Sequence, residues 1–331
     1  MRIRGKKEWR WLAALSLLPG LSGLTGCRLE THLHEDGYSE TFEKRFVATR
    51  VNTLQIHATG GEIHVQGTND RLNEILVQAT TRVEGAGSES ERARIAAQVK
   101  TTARLNGSIL IVETDYPQWN GLGKSVSVDY TVTLPKRMLL DLASQSGNIF
   151  VNDVMGGMSV ETASGDIELH HVGGAFTVRT ASGAVSMDAV RAANSLQVVS
   201  ASGEIHIADC RALSPELAVE ARSQSGEVAF SGAAGELTLQ TASGDITAEL
   251  TAKMPLTRAE LHSASGSISL TLPRAANARI TAHTASGNIS LSDVGHPSDE
   301  AASTQTVTLG TGSAPVTLET ASGDIELKTA P

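Results

Sequence analysis

Acidic side chains recur at one position of a short repeated sequence pattern. Carboxylates gathered in this way could bind a cation. The pattern is Ser-Gly-x-Ile/Val, and three consecutive copies place Glu204, Glu227 and Asp245 at its third position. If the copies stack, these carboxylates lie about 5 Å apart and could share Ca²⁺, which prefers several oxygen ligands. Asp, Asn and Ser are also common turn residues that bond to nearby backbone. The turn role is the preferred interpretation, so the sequence predicts no metal site beyond this calcium alternative.

The other reactive side chains form no recognisable catalytic set. The ten histidines are scattered, and the adjacent pair His170 and His171 would face opposite sides of a strand. The Gly-x-Ser-x-Gly pattern of serine hydrolases is absent from the sequence. Five residues are candidates for an outward wall of acids and cations, as in carbohydrate-active β-helix enzymes: Glu161, Arg179, Glu220, Arg222 and Gln240. Solvated strand faces explain them better, so the sequence predicts a protein with no catalytic residues and no cofactor.

The repeat itself predicts the fold. Nine copies lie between Ser146 and Ile325, and their glycines are 18 to 23 residues apart, except for 36 between the last two. These corner glycines are Gly147, Gly165, Gly183, Gly203, Gly226, Gly244, Gly266, Gly287 and Gly323. A period of about 20 residues is typical of solenoids, whose units stack because each is too small to bury its own apolar face. We therefore expect an all-β parallel solenoid with about 20 residues per rung.

Each rung should hold two short strands that meet at the Ser-Gly pair. Apolar residues alternate before the motif, as in Met158 and Val160, and the alternation shifts by one residue after the glycine, as in Ile167 and Leu169. Glycine tolerates backbone angles that other residues resist, which favours a corner at this point. The inward hydroxyls should form a ladder whose members could hydrogen-bond to one another, which would offset the cost of burying them. These are Thr162, Thr180, Ser200, Ser223, Thr241, Ser263, Thr284 and Thr320.

The first 26 residues have the features of an export signal. Five basic residues precede an apolar stretch from Trp11 to Leu24. The stretch ends in Leu24, Thr25, Gly26 and Cys27, which resemble the lipobox of bacterial lipoproteins. That resemblance implies lipidation of Cys27 and anchoring in the cell envelope, at the outer membrane or periplasmic face if the host is Gram-negative. An ordinary secretory signal with an incidental cysteine is the alternative.

The remaining chain divides into three segments. Residues 27–40 are polar and predict a lipidated tether, residues 41–137 predict an N-terminal cap with irregular first rungs, and residues 138–331 hold the regular repeats. Within the cap, Ser88 to Ala103 predicts one short helix, and Asn106-Gly107 predicts a hairpin turn. Cys210 is expected in a loop just after a strand.

The net negative charge of the mature chain argues against nucleic acid as a partner. Removal of residues 1–26 leaves 22 Lys and Arg against 35 Asp and Glu, a formal charge of −13. Such a surface would be repelled by nucleic acid and by anionic headgroups. The expected partners are therefore the membrane, through the N-terminal lipid, and an envelope polymer, surface glycan or envelope protein.

Several segments together resemble a family of proposed bacterial adhesins built from β-strand repeats. They are the imperfect rung Leu54–Val65, the short helix, the Asn-Gly hairpin, the segment Val128–Pro135 and the serial Ser-Gly-x-Ile rungs. The likeness spans roughly residues 46–327. It implies a parallel β-solenoid on an exported or membrane-associated protein, a domain of unknown function with no catalytic residues to transfer.

These observations together predict a non-catalytic, cell-envelope lipoprotein that displays a solenoid binding or structural module. Two alternatives stay open: a carbohydrate-active β-helix enzyme, and an accessory protein in envelope stress or regulation.

Overall fold

The computed structural model describes residues 28–34, 37–69, 73–85, 87–116, 124–251, 254–292 and 302–330. The predicted signal peptide and the lipobox, including Cys27, lie outside these ranges. Among the described residues, no helix is long and apolar enough to cross a membrane.

Strands account for most of the described chain, with one α-helix among them. The strands are β1 (Arg28–His34), β2 (Gly37–Val47), β3 (Thr53–Gly60), β4 (Ile63–Thr68), β5 (Glu74–Gly85), β6 (Lys100–Asn106), β7 (Ile109–Asp115), β8 (Lys124–Pro135), β9 (Leu139–Ser146), β10 (Ile149–Asn152), β11 (Met158–Ser164), β12 (Ile167–His170), β13 (Gly173–Ser182), β14 (Val185–Asp188), β15 (Arg191–Ser202), β16 (Ile205–Ala212), β17 (Ala218–Ser225), β18 (Val228–Gly232), β19 (Glu236–Ser243), β20 (Ile246–Leu250), β21 (Arg258–Ser265), β22 (Ile268–Pro273), β23 (Ala278–Ser286), β24 (Ile289–Ser292), β25 (Thr304–Leu309), β26 (Ala314–Ser322) and β27 (Ile325–Ala330). The helix α1 spans Glu89–Ala96, and a 3₁₀ turn spans Ala48–Arg50.

The repeats build two parallel walls. The front sheet contains the strands before each corner, in the spatial order β3, β9, β11, β13, β15, β17, β19, β21, β26 and β23. The back sheet contains the strands after each corner, in the order β4, β10, β12, β14, β16, β18, β20, β22, β27 and β24. Equivalent residues of neighbouring rungs face each other in register, so the predicted parallel β-solenoid is confirmed.

Alternation of side chains places the core between the two sheets. Val160 on β11 and Ile167 and Leu169 on β12 are at most 1% exposed, while Glu161 and Glu168, which alternate with them, face outward. The inward face shifts by one residue at Gly165, as predicted. Columns of Val, Ile and Leu run the length of the stack, and each fully buried side chain contributes about 1.5–3 kcal/mol.

The last two rungs do not stack in chain order. Strands β26 and β27 lie between β21–β22 on one side and β23–β24 on the other. Strand β25 pairs antiparallel with β23 and covers the outer edge of that strand. The chain therefore builds the outermost rung first and then returns to fill the gap beneath it, and this accounts for the 36-residue spacing before Gly323.

The N-terminal end is closed by antiparallel strands. Strand β8 runs parallel to β4 and antiparallel to β5, and β7 runs parallel to β3 and forms a hairpin with β6. The hairpin turn at Gly107 has φ +61°, as the Asn-Gly pair predicts. Because β3 and β4 pair directly with β9 and β10, the first rung belongs to the same stack as the regular repeats.

The helix is shorter than the sequence predicts. Ser88 caps it by accepting a hydrogen bond from the Glu91 amide at 3.3 Å, but the helix ends at Ala96 instead of Ala103. Residues from Lys100 onward pair with β7, so tertiary pairing overrides the local helical pattern. Ile95 and Ala96 pack in a small cluster with Val83 and close this side of the cap.

The segment predicted as a tether is strand over much of its length. Residues Arg28–His34 form β1, which pairs antiparallel with β2 in continuous register. This corrects the predicted tether of residues 27–40 where the structure describes it, at residues 28–34 and 37–40: the strand pairing satisfies backbone groups that a free linker would leave to water. The cap accordingly begins earlier than residue 41.

Candidate functional site

The nine predicted corner glycines lie along one edge of the stack, each against the next. A Cβ on Gly226 would lie 2.3 Å from the carbonyl oxygen of Gly203, and one on Gly244 would lie 2.3 Å from that of Gly226. The same approach joins all nine corners, in the order Gly147, Gly165, Gly183, Gly203, Gly226, Gly244, Gly266, Gly323 and Gly287. Several of these glycines do not have left-handed backbone. The sequence-based reason for glycine was therefore incomplete: close contact between backbones requires it at every corner.

The buried hydroxyls bond to these corner carbonyls, and the predicted ladder of mutual bonds is wrong. Thr241 Oγ1 donates to Gly226 O at 3.1 Å, and Ser263 Oγ donates to Gly244 O at 3.0 Å. The same bond is made by Thr162, Thr180, Ser200, Ser223, Thr284 and Thr320. A corner carbonyl points at its neighbouring rung, and this places an acceptor nearer to each hydroxyl than the next hydroxyl. These residues are structural.

The residues after the glycines form a second structural column. Asp245 Oδ1 accepts the Ser267 amide at 2.7 Å, and Asp166 Oδ1 accepts the Ala184 amide at 2.8 Å, so both fasten neighbouring rungs. The calcium candidates Glu204, Glu227 and Asp245 do lie on three successive rungs. Across the described residues, no group of three or more His, Cys, Asp or Glu side chains is arranged to hold a metal ion. Calcium binding at these residues stays the untested alternative to their turn role.

A groove on the outer face of the front sheet is the candidate functional site. It encloses about 1020 Å³ and crosses eight rungs, a length of roughly 34 Å at the usual strand spacing. Its floor consists of the residues immediately before the motif serines: Ala163, Ala181, Ala201, Gln224, Ala242, Ala264, Ala321 and Ala285. Its wall consists of the residues three positions before the same serines: Glu161, Arg179, Val199, Arg222, Gln240, His262, Glu319 and His283. In-register stacking turns two sequence positions into two continuous columns.

A hydrogen-bonded network holds the two arginines of the wall. Arg179 donates to Gln197 Oε1 at 3.5 Å, and Gln197 donates to Glu220 Oε2 at 3.0 Å. Arg222 makes an ion pair with Glu220 at 2.6 Å. The network ties three adjacent front strands together at the surface. It carries two positive charges against one carboxylate, within a chain of formal net charge −9.

The far end of the groove contains imidazole and carboxylate groups. His262 Nδ1 lies 3.2 Å from Glu319 Oε2 on the neighbouring strand. His283 flanks Glu319 on its other side, and its Nδ1 lies 2.8 Å from Thr304 Oγ1. The groove thus has a carboxylate on its first rung, Glu161, and another on its next-to-last rung, Glu319, and its two arginines lie between them.

The structure unites four of the five outward residues that the sequence singled out. Glu161, Arg179, Arg222 and Gln240 line the groove, and Glu220 lies beside it in the network. Sequence reasoning missed Gln197, Gln224 and the histidines. Counting back three positions from each motif serine would have found His262 and His283, because that count fixes the column.

A family comparison agrees with this architecture. The model of the toastrack DUF4097 family matches residues 51–328. The chain belongs to this family. The match begins at residue 51, so it covers the early rung and the part of the N-terminal cap from β5 to β8, but not β1 and β2.

Three solved structures that match this toastrack chain share little sequence identity with it. A proposed lipid-binding protein from Parabacteroides distasonis is 14% identical, with a TM-score of 0.41, and the alignment covers 88% of this chain and 97% of that one. A proposed adhesin from the same organism is 9% identical, with a TM-score of 0.38 and the same coverage. A proposed adhesin from Bacteroides fragilis is 11% identical, with a TM-score of 0.32 and again the same coverage. No curated protein is significantly similar to the chain.

Two remaining candidates of the toastrack chain lie away from the groove. His170 ends β12 and lies 3.8 Å from Glu168 and 3.9 Å from Asp188, whereas His171 follows in a left-handed turn with φ 52°. Cys210 lies within β16 and not in a loop, because the strand continues past a register shift to Ala212. Burial, with a smaller contribution from Asp209, raises the pKa of its thiol to about 12, so this cysteine is a core residue and not a nucleophile.

Proposed function

We propose that this toastrack chain is a non-catalytic binding module that presents the groove of the front sheet to an extended partner at the cell envelope. The observation that carries the proposal is the continuity of the groove, which keeps one floor and one wall across eight rungs. A surface of this kind suits many shallow contacts repeated along a polymer, because each contact adds to the others once the first has formed.

Anchoring is a separate part of the proposal and rests on sequence. Leu24, Thr25, Gly26 and Cys27 resemble a lipobox, and the first described strand begins immediately afterwards at Arg28. A lipid on Cys27 would hold the module at the envelope surface, since several acyl chains bind membranes stably. Full-length protein should fractionate with membranes, and Cys27→Ser should release it. If the Cys27→Ser protein stays in the membrane fraction, the anchor is wrong.

Bulky residues in the groove floor test the binding role. Ala181→Trp and Ala242→Trp would fill the exposed floor, while Ser186→Trp on the outer face of the back sheet is the matched control. Cells that display the full chain should be retained on immobilised envelope extract, and the two floor variants should lose that retention. Retention of the floor variants equal to that of the control would contradict the proposal.

The groove also favours one alternative, a carbohydrate-active enzyme. Glu161, Arg179, Arg222 and Gln240 share one wall, and clustered acids and cations are the groups that such sites use. Release of reducing ends or unsaturated products from acidic glycans by the full-length protein would establish turnover. Loss of that turnover in Glu161→Gln would assign it to the groove.

A further inference from the structure

We infer that the groove binds a linear glycan whose carboxylates recur on alternate sugars, through Arg179 and Arg222. This inference deepens the proposed function and depends on it. The two arginines lie on the same column with only Val199 between them. Their Cα positions are thus two strand spacings apart, about 9.6 Å.

The arginines are positioned before any ligand arrives. Gln197 and Glu220 bind both guanidinium groups from the adjacent column, so each head is held beside the groove. Half of the Arg222 side chain still faces solvent, while the Glu220 side chain is 29% exposed. A guanidinium recognises a carboxylate by two parallel hydrogen bonds, and a group that is already held loses less entropy on binding.

Charge along the groove selects the density of carboxylates on the partner. Glu161 lies one rung before Arg179, and Glu319 lies three rungs beyond Arg222. A polymer with a carboxylate on every sugar would bring one against Glu161. A polymer with a carboxylate on every second sugar can face both arginines and present neutral groups to the rungs beside them.

The floor favours a glycan over a peptide. Seven of its eight residues are alanine and the eighth is Gln224, so it forms a shallow, even surface without separate pockets for side chains. Gln224 and Gln240 add amide groups beside Arg222, and amides hydrogen-bond to sugar hydroxyls. A pyranose ring is about as long as one strand spacing, so successive sugars can lie over successive rungs.

The experiment compares three polymers on the full-length protein in detergent. Hyaluronan carries a carboxylate on alternate sugars, polygalacturonate carries one on every sugar, and dextran carries none. Hyaluronan oligosaccharides should bind most tightly and polygalacturonate less tightly, and dextran should not bind. Binding should weaken as salt is raised, because the contacts lie at the surface.

Three variants locate the contact. The double variant Arg179→Gln with Arg222→Gln should bind hyaluronan about tenfold more weakly. Glu161→Gln should bind polygalacturonate about two- to fivefold more tightly. Arg211→Gln is the matched control, because Arg211 is similarly exposed and also paired with an acid, Asp209, but lies on another side of the rung. It should bind as wild type does.

Equal binding of dextran, absence of hyaluronan binding, or equal weakening by Arg211→Gln would overturn the inference. The proposed function fails by a different result. If Ala181→Trp and Ala242→Trp leave cell retention unchanged, the groove is not the binding surface at all. If the two floor variants abolish retention while hyaluronan does not bind, the groove is still the binding surface and only the inferred ligand class is wrong.

Discussion

Each rung turns at the Ser-Gly corner and again after its back strand, and the two turns accept different residues. The first turn is glycine in all nine repeats. The second turn has left-handed backbone at four successive rungs, yet it holds Asp153, His171 and Ala189 after their back strands and Asp209 at the register shift within β16, with φ between 45° and 58°. The first turn therefore requires glycine, whereas the second turn accepts several residue types.

The difference separates two reasons for glycine. A left-handed backbone costs a residue with a Cβ on the order of 1–2 kcal/mol. The stack remains stable with this cost at four positions. A Cβ placed about 2 Å from a neighbouring carbonyl oxygen overlaps it outright, and the two rungs would have to separate. Strain can be tolerated rung by rung, whereas overlap would interrupt the hydrogen bonds of the stack.

Gly226→Ala should have the largest effect, because the added Cβ would lie 2.3 Å from the Gly203 carbonyl oxygen. Gly226 does not have left-handed backbone, so this overlap is the only penalty that the substitution introduces. We expect the free energy of unfolding of the full chain, measured in urea, to fall by about 3 kcal/mol or more. Gly107→Ala is the control: it has φ +61° but no atom within 4 Å of the added Cβ, and it should cost only about 1 kcal/mol. Equal losses would mean that backbone angle alone explains the corner.

Thr241→Val tests the bond that closes each corner. It removes the hydroxyl that donates to Gly226 O at 3.1 Å and leaves a buried carbonyl without that donor. The expected loss is about 1–2 kcal/mol. Ser144→Ala is the matched control, because Ser144 Oγ is buried without a hydrogen-bond partner among the described residues. It should change stability by less than about 0.5 kcal/mol; a larger loss would show that volume and not the hydrogen bond matters in this column.

Asp245→Ala tests the next column outward and should have a smaller effect. The substitution removes the acceptor of the Ser267 amide at an exposed position, so we expect a loss of about 1 kcal/mol. Glu227→Ala, one rung away, should be close to neutral. Urea titration of both variants with and without calcium also tests the alternative role: stabilisation of the wild type by calcium that disappears in both variants would support a metal site.

The sequence was sufficient for the rungs because one rule repeats. Alternation before and after Ser-Gly gave the inward residues of both sheets, and the position of Val160, Ile167 and Leu169 confirms it. The same regularity prevents a prediction of the order of the last rungs. Because every rung has the same sequence pattern, the local sequence does not indicate that β26, and not β23, pairs with β21. The length of the intervening segment and its strand β25 decide the order.

The groove was harder to predict for a related reason. Its wall residues share a position relative to the corner but not a residue type, so a search by chemistry found Arg179 and Arg222 without the column that joins them. Gln197 and Glu220 together link the two arginines across three strands. That link depends on side-chain conformations, which the repeat pattern does not specify.

Ala189→Gly should have the smallest effect and the opposite sign. Alanine at φ 53° carries the strain of a left-handed backbone, and glycine removes it. Glycine also increases the entropy of the unfolded chain by about 0.4–1 kcal/mol, which offsets part of the gain. We therefore expect a net stabilisation of about 0.5 kcal/mol, visible as a higher urea midpoint at an unchanged slope. A destabilisation would mean that the Cβ of Ala189 makes contacts that matter more than its backbone strain, and the two turns would then differ less than their sequences indicate.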